Sequence, residues 1–181
     1  MFASQAAGIN PDFMCLSKGI TAGYLPMGAT LTTDKIYKAF YAPYRMKKTF
    51  FHGHTYTANP LSCAAALASL EVFKQENTLK QVENIIPYFH SRMETFRNLE
   101  YVGDVRYLGL VGAIELVKNK PTKQGFSFKE RIGLKVYRQG LKHNLILRPL
   151  GNVIYLFLPL CIKKPELDDI IDKMYELLSK T

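Results

Sequence analysis

Apolar and polar positions change their spacing several times along the chain, and each change predicts a different element. Between Pro11 and Thr33 the apolar residues fall in short runs broken by glycine. Asp12-Phe13-Met14-Cys15-Leu16 reads as a short buried strand and Gly28-Ala29-Thr30-Leu31-Thr32 as another. Ser17 to Pro26 is then a tight loop, in which Gly19 and Gly23 allow positive φ or close approach and Pro26 ends any helical run. Asn59-Pro60 opens a helix, because Asn is a good N-cap and Pro at the first helical position lacks only an N–H that would be unpaired anyway. That helix runs from Leu61 to Phe73 and is rich in small residues suited to close packing.

After Asn77 the period becomes helical and amphipathic: Leu79, Val82, Ile86, Phe89, Met93 and Phe96 recur at three- and four-residue steps. Pro87 interrupts this pattern and is expected to kink or split the helix near Ile85. Tyr101 to Tyr107 and Leu110 to Val117 read as two strands with Gly109 as the bend. Phe128 to His143 reads as a helix that leaves at Asn144. Leu145-Ile146-Leu147-Arg148-Pro149 and Val153 to Leu158 read as strands joined by Leu150-Gly151-Asn152. Pro165 opens a last helix with Leu167, Ile170, Ile171, Met174, Leu177 and Leu178 on one stripe. The expected architecture is an α/β segment over residues 1–76 followed by an α+β unit over 77–181.

Composition narrows the class without choosing a function. The chain has 181 residues, 48% of them hydrophobic and 22% charged, which is the make-up of a folded protein and argues against disorder. Its formal net charge of +9 invites an anionic partner. Lys and Arg are scattered, however, and no basic, aromatic-interleaved motif or recognition helix marks a nucleic-acid binder. Cys15, Cys63 and Cys161 form no CxxC pair and sit among apolar residues, so they read as buried free thiols of a reducing cytoplasm. The start shows no secretory signal pattern, and no apolar run approaches the length of a membrane span.

Three places could carry chemistry. Lys18 follows an apolar strand and enters a glycine-containing loop; partial desolvation there would favour the free amine, a nucleophile for carbonyls, although a lysine at a strand end is ordinarily just solvent-facing. The segment His52-Gly53-His54-Thr55-Tyr56-Thr57-Ala58-Asn59-Pro60 leads into a helix N-terminus, whose N–H groups and dipole suit a phosphate; plain helix capping explains the same residues. His52 and His54 lack a third ligand at metal-binding spacing. Arg148, flanked by apolar residues, needs an anion, either a ligand carboxylate or an internal Asp or Glu. Tyr155 is placed to offer a hydroxyl near it.

Taken as an ordered set, Leu16-Ser17-Lys18-Gly19, Gly23-Tyr24-Leu25-Pro26-Met27-Gly28, His52 to Leu61, Cys63-Ala64-Ala65-Ala66 and Leu147-Arg148-Pro149-Leu150-Gly151-Asn152 resemble the class III pyridoxal-phosphate aminotransferases. The closest likeness is to the branch serving biotin synthesis, which moves an amino group from S-adenosylmethionine to 8-amino-7-oxononanoate; another ω-aminotransferase is the alternative. The resemblance implies that Lys18 carries pyridoxal 5'-phosphate and shuttles the proton. It further implies that Thr55 and the His54 backbone bind the cofactor phosphate across a homodimer interface, that Gly53 lies against substrate, and that Arg148 grips the substrate carboxylate with Tyr155 close by. The implied fold is the C-terminal part of a fold-type-I transferase: a remnant of the large cofactor domain over 1–76, then the small α+β domain.

Family motifs that precede these, the ring-nitrogen Asp, a Gly-Ser phosphate segment and a stacking aromatic, have no match here. The expectation is a C-terminal fragment that is inactive alone. A non-catalytic docking module is the other reading, and an exposed apolar patch would be its mark.

Overall fold

The computed structural model describes residues 2–180, which form two compact units, Met1–Asn77 and Thr78–Thr181. The first contains α1 (Ala3–Ala6), β1 (Phe13–Ser17), β2 (Gly28–Thr32), α2 (Asp34–Phe40) and α3 (Pro60–Gln75). β1 and β2 pair antiparallel with Phe13 opposite Thr32 and Ser17 opposite Gly28, closing the loop between them. The expected strands are therefore present, but β1 is not buried: its residues alternate between exposed and half-buried, because a two-stranded sheet has no second layer here. The only buried apolar residue among those described in this unit is Ala66. Neither α1 nor α2 carries a pattern long enough for periodicity to detect.

The second unit holds the hydrophobic core. α4 (Thr78–Glu94) is followed by the hairpin β3 (Val102–Leu108) and β4 (Val111–Asn119), the short β5 (Gln124–Gly125), α5 (Ile132–Lys142), β6 (Val153–Phe157) and α6 (Lys164–Ser179). β4 is central, pairing antiparallel with β3, β5 and β6. Alternate residues of the strands, Val105, Ile114, Leu116, Ile154 and Leu156, face a layer made by Phe89 and Met93 of α4, Val136 of α5, and Leu167, Ile171 and Met174 of α6. Period two on the strands and period three-to-four on the helices thus meet in one core.

Four expectations need correction. Pro87 does not split α4, since its exposed position frees only a carbonyl that water can reach. The helix expected over 128–143 is instead a 3₁₀ turn at Phe128–Glu130, a left-handed Arg131 at φ +47°, and then α5. Leu145 to Pro149 forms no strand. The Leu145 N–H is already given to the Gly140 carbonyl, Pro149 has none to give, and only Leu150 bridges to Val153. The thiols are free, but Cys15 and Cys161 are exposed and Cys63 is half-buried, because the apolar residues beside them in sequence do not cover them.

Charged groups lace the surface of the second unit. Arg92 on α4 pairs with Asp168 and with Asp172 (2.5 Å) on α6, and the Tyr88 hydroxyl donates to Asp168 at 2.5 Å. Asp104 sits between Arg106 (2.9 Å) and Arg97 (3.2 Å). The Tyr88 hydroxyl, and then the charges of Lys164 and Arg92, hold the Asp168 carboxyl below the usual carboxylate range; Arg106, and then Arg97, do the same for Asp104. A lowered folded-state pKa contributes stability that is complete above the unfolded value, about 3.9 for Asp, and is lost as pH falls through the folded value. The urea midpoint of this unit is therefore expected to stay flat from pH 7 to about 5 and to drop below about pH 4. The slope should be shallow, since these groups are partly exposed. A midpoint that rises on acidification would contradict this account.

Candidate active site

The loop between β1 and β2 is tied down by side chains rather than by a core. Ser17 is fully extended (φ −160°, ψ −174°), and Lys18 follows at φ +54°, a left-handed conformation that costs a non-glycine residue roughly 1–2 kcal/mol. A 3₁₀ turn over Lys18–Thr21 then ends at Ala22 (φ +51°) and Gly23 (φ +82°). Thr21 is buried and donates its hydroxyl to the Leu25 carbonyl at 2.5 Å. Ser62, on the first turn of α3, donates to the Pro26 carbonyl at 3.2 Å, and Ser17 Oγ reaches the Met27 carbonyl at 3.3 Å. These ties over-determine the strained Lys18 backbone, the circumstance in which such strain persists.

The loop and the start of α3 enclose a hollow of about 1280 Å³, lined among others by Lys18, Gly23, His52, His54, Tyr56 and Asn59. The Lys18 amine makes no hydrogen bond or ion pair among the described residues. Its side chain is exposed, so this chain does not by itself supply the desolvation expected from the sequence. His52, His54 and Tyr56 line the hollow, while Gly53 and Thr55, alternating with them, do not. The His54 ring accepts the Tyr56 N–H at 3.2 Å.

Asn59 caps α3 as the sequence implied, its carboxamide oxygen accepting from Leu61 and Ser62 N–H at 3.1 Å each. That cap occupies the helix N–H groups that the phosphate reading would use. The unspent donors lie just upstream: the backbone N–H groups of Gly53, His54 and Thr55 and the Thr55 hydroxyl have no acceptor among the described residues.

Arg148 and Tyr155 belong to the second unit. Arg148 is exposed and forms no ion pair among the described residues, so the internal salt bridge is not its explanation. It lines a hollow of about 390 Å³ with Phe128, Arg131, Tyr137 and Asn152. Tyr155 sits on β6 opposite Ala113, on the face away from Ile154 and Leu156, and does not line that hollow. Sequence reasoning missed Thr21 and Ser62, which hold the Lys18 loop, and Arg131. The position of Ser62 three residues after the N-cap was a usable signal, but the left-handed backbone of Arg131 leaves no mark in composition or period.

The class-III aminotransferase profile matches residues 1–178. The adenosylmethionine-8-amino-7-oxononanoate aminotransferase of Geobacter sulfurreducens is 49% identical over 172 residues, covering 95% of this chain and 38% of that protein. The Aquifex aeolicus protein of the same name is 47% identical over 174 residues, covering 96% and 38%. Among solved structures, that of the Methanocaldococcus jannaschii protein of the same name superposes with a TM-score of 0.89 at 44% identity, over 95% of this chain and 39% of that one. A Vibrio fluvialis aminotransferase in its PMP-bound form gives 0.91 at 28% identity, over 98% and 39%. The chain thus spans somewhat over a third of the length of the relatives it matches. With its fold matched and residues 1–178 accounted for by one profile, the chain belongs to the class-III aminotransferases, the pyridoxal-phosphate-dependent transaminases.

Proposed function

We propose that the chain is the C-terminal portion of a cytoplasmic, homodimeric aminotransferase of biotin synthesis. It would transfer the amino group of S-adenosylmethionine to 8-amino-7-oxononanoate to give 7,8-diaminononanoate, and it would be inactive without the portion that precedes it. In the same reading, the unit ending at Asn77 is the remnant of the cofactor-binding domain and the unit from Thr78 is the small domain. The observation that carries this is the uncommitted Lys18 amine at a hollow that His54 also lines, on a segment whose Gly53, His54 and Thr55 N–H groups have no acceptor among the described residues.

The residues fit the cofactor. When bound, pyridoxal phosphate supplies an aldehyde and an electron-withdrawing ring, which let an amino group be exchanged for a carbonyl. Lys18 Nζ would hold it covalently and afterwards take and return the substrate proton. The His54 and Thr55 N–H groups with the Thr55 hydroxyl would bind the phosphate. These groups would be contributed across the homodimer interface to the partner protomer's site. A Cβ added at Gly53 would meet nothing within 4 Å, so that surface is open to substrate. The Arg148 guanidinium would take the substrate carboxylate in a two-point hydrogen bond, and Tyr155 would stand near the substrate.

The exposed apolar side chains of the first unit, Phe51, Tyr44 and Leu67 among them, favour a companion polypeptide that covers them. The test is to join this chain to the N-terminal portion of the Geobacter sulfurreducens relative. The fusion is expected to form 7,8-diaminononanoate from the named donor and acceptor, and the 181-residue chain alone is expected to form none. Product from the chain alone would overturn the inactivity. A fusion that aminates other ketones but not this one would overturn the substrate assignment.

A further inference from the structure

The second unit contains a cationic hollow that one arginine does not account for. Arg92, Arg97 and Arg106 are each committed to carboxylates, whereas Arg131 and Arg148 line the same hollow of about 390 Å³ and neither has an ion pair among the described residues. The carboxylate next to Arg131 in sequence is spent elsewhere: Glu130 accepts from the Ser127 N–H at 2.9 Å and from Lys118 at 3.3 Å. Two like charges left uncompensated at one concavity repel each other unless an anion enters.

Their juxtaposition is built into the backbone. Gly133, on the first turn of α5, lies so close to the turn after Arg148 that an added Cβ would fall 2.2 Å from the Gly151 carbonyl oxygen and 2.8 Å from Pro149 Cβ. This close approach presses the start of α5 against Pro149 to Gly151. Arg131, immediately before α5, is held at φ +47°, a conformation that glycine or asparagine would occupy at less cost. Tyr137 and the exposed Phe128 complete the lining with aromatic surface, so the hollow offers two guanidiniums beside an apolar wall.

We propose that Arg131 is a second anchor for the carboxylate of an alkyl-chain acid, acting beside Arg148; this rests on the reading of Arg148 as a carboxylate-binding residue. Two guanidiniums supply more donors than one carboxylate needs from a single fork, and they bind the charge more strongly than either alone. The apolar wall suits the methylenes next to the carboxylate.

The test uses the isotope-labelled 181-residue chain, with backbone amide shifts followed by NMR during titration with octanoate at fixed ionic strength and with methyl octanoate as the uncharged control. Octanoate is expected to shift the Leu134, Gly151 and Asn152 amides saturably, and the ester is not. Arg131→Gln is expected to weaken octanoate roughly 5- to 10-fold, Arg131→Lys to recover part of the loss, and Arg148→Gln to remove binding. Arg131→Gly is the control for fold: it relieves the left-handed strain, so it should melt like the wild type while binding as poorly as Arg131→Gln. If Arg131→Gln binds as the wild type does while Arg148→Gln does not, the second anchor falls and the reading of Arg148 stands. If Arg148→Gln leaves binding intact, that reading itself falls. An absence of any saturable octanoate shift overturns the proposal outright.

Discussion

Replacing Lys18 with alanine in the fused enzyme is expected to lower kcat by roughly 10⁴-fold or more, because in the proposed function covalent attachment and the proton transfer would leave together. At about 1.4 kcal/mol per factor of ten, that is a rise of at least about 5.5 kcal/mol in the barrier. Lys18→Arg should fail as completely, since a guanidinium keeps the charge but is never a free amine near neutral pH. Stability tells a different story. Lys18 holds φ +54° without a side-chain partner, so nothing in this chain is lost when its side chain is removed. Lys18→Gly should melt no lower than the wild type, the relieved strain of roughly 1–2 kcal/mol offsetting the greater backbone freedom of glycine. Loss of turnover without loss of stability would mark Lys18 as the reacting group rather than a structural one. The direct measurement is borohydride reduction of the fused enzyme with pyridoxal phosphate, followed by peptide mapping. A tag at Lys18 is expected; a tag at another lysine with Lys18 untouched would sink the proposed function.

Much of this was legible in the residues themselves, and the misses share a cause. Asn59 before Pro60 fixed the start of α3 because capping is local chemistry, complete within four residues. The stripe from Leu167 to Leu178 was readable because a helix facing a core repeats its pattern over several turns. What sequence could not supply was the environment of each pattern. Phe13 to Ser17 has the alternation of a strand, but whether a strand is buried depends on a second layer that lies elsewhere in sequence. Leu145 and Leu147 are buried while Ile146 and Arg148 are exposed, so the period of two is real. It produces no ladder because the Leu145 N–H closes the exit of α5 instead. The candidate site divides the same way. Lys18, His54 and Arg148 could be named from residue type and neighbours. The ties of Thr21 and Ser62 and the placement of Arg131 and Arg148 at one hollow come from folding distant segments together.

The two units should differ sharply in stability when the 181-residue chain stands alone. The second buries Phe89, Met93, Phe96, Ile114, Ile154, Leu167, Ile171 and Met174 almost completely, in one cluster spanning both helical and strand faces. A domain of this kind has a global stability on the order of 5–10 kcal/mol, and its slowest amides exchange only through that opening. The first unit buries Ala66, Thr21 and Ser62, leaves Phe51 92% and Tyr44 91% exposed, and rests on a two-stranded sheet. At about 25 cal/mol per Å² of apolar surface removed from water, burial on that scale does not offset roughly 1–2 kcal/mol of backbone entropy for each ordered residue. Amides of β1, β2 and α3 are therefore expected to exchange within about 1 kcal/mol of the unfolded rate, while those of β4 and α6 are strongly protected. Limited proteolysis should correspondingly stop at a product beginning near Thr78. If the preceding portion covers the exposed aromatic side chains, as the proposed function requires, the α3 amides of the fusion should gain protection approaching that of β4. Equal protection of α3 and β4 in the chain alone would refute the division, and a fusion in which α3 stays unprotected would show that the companion segment is not what this surface is built to meet.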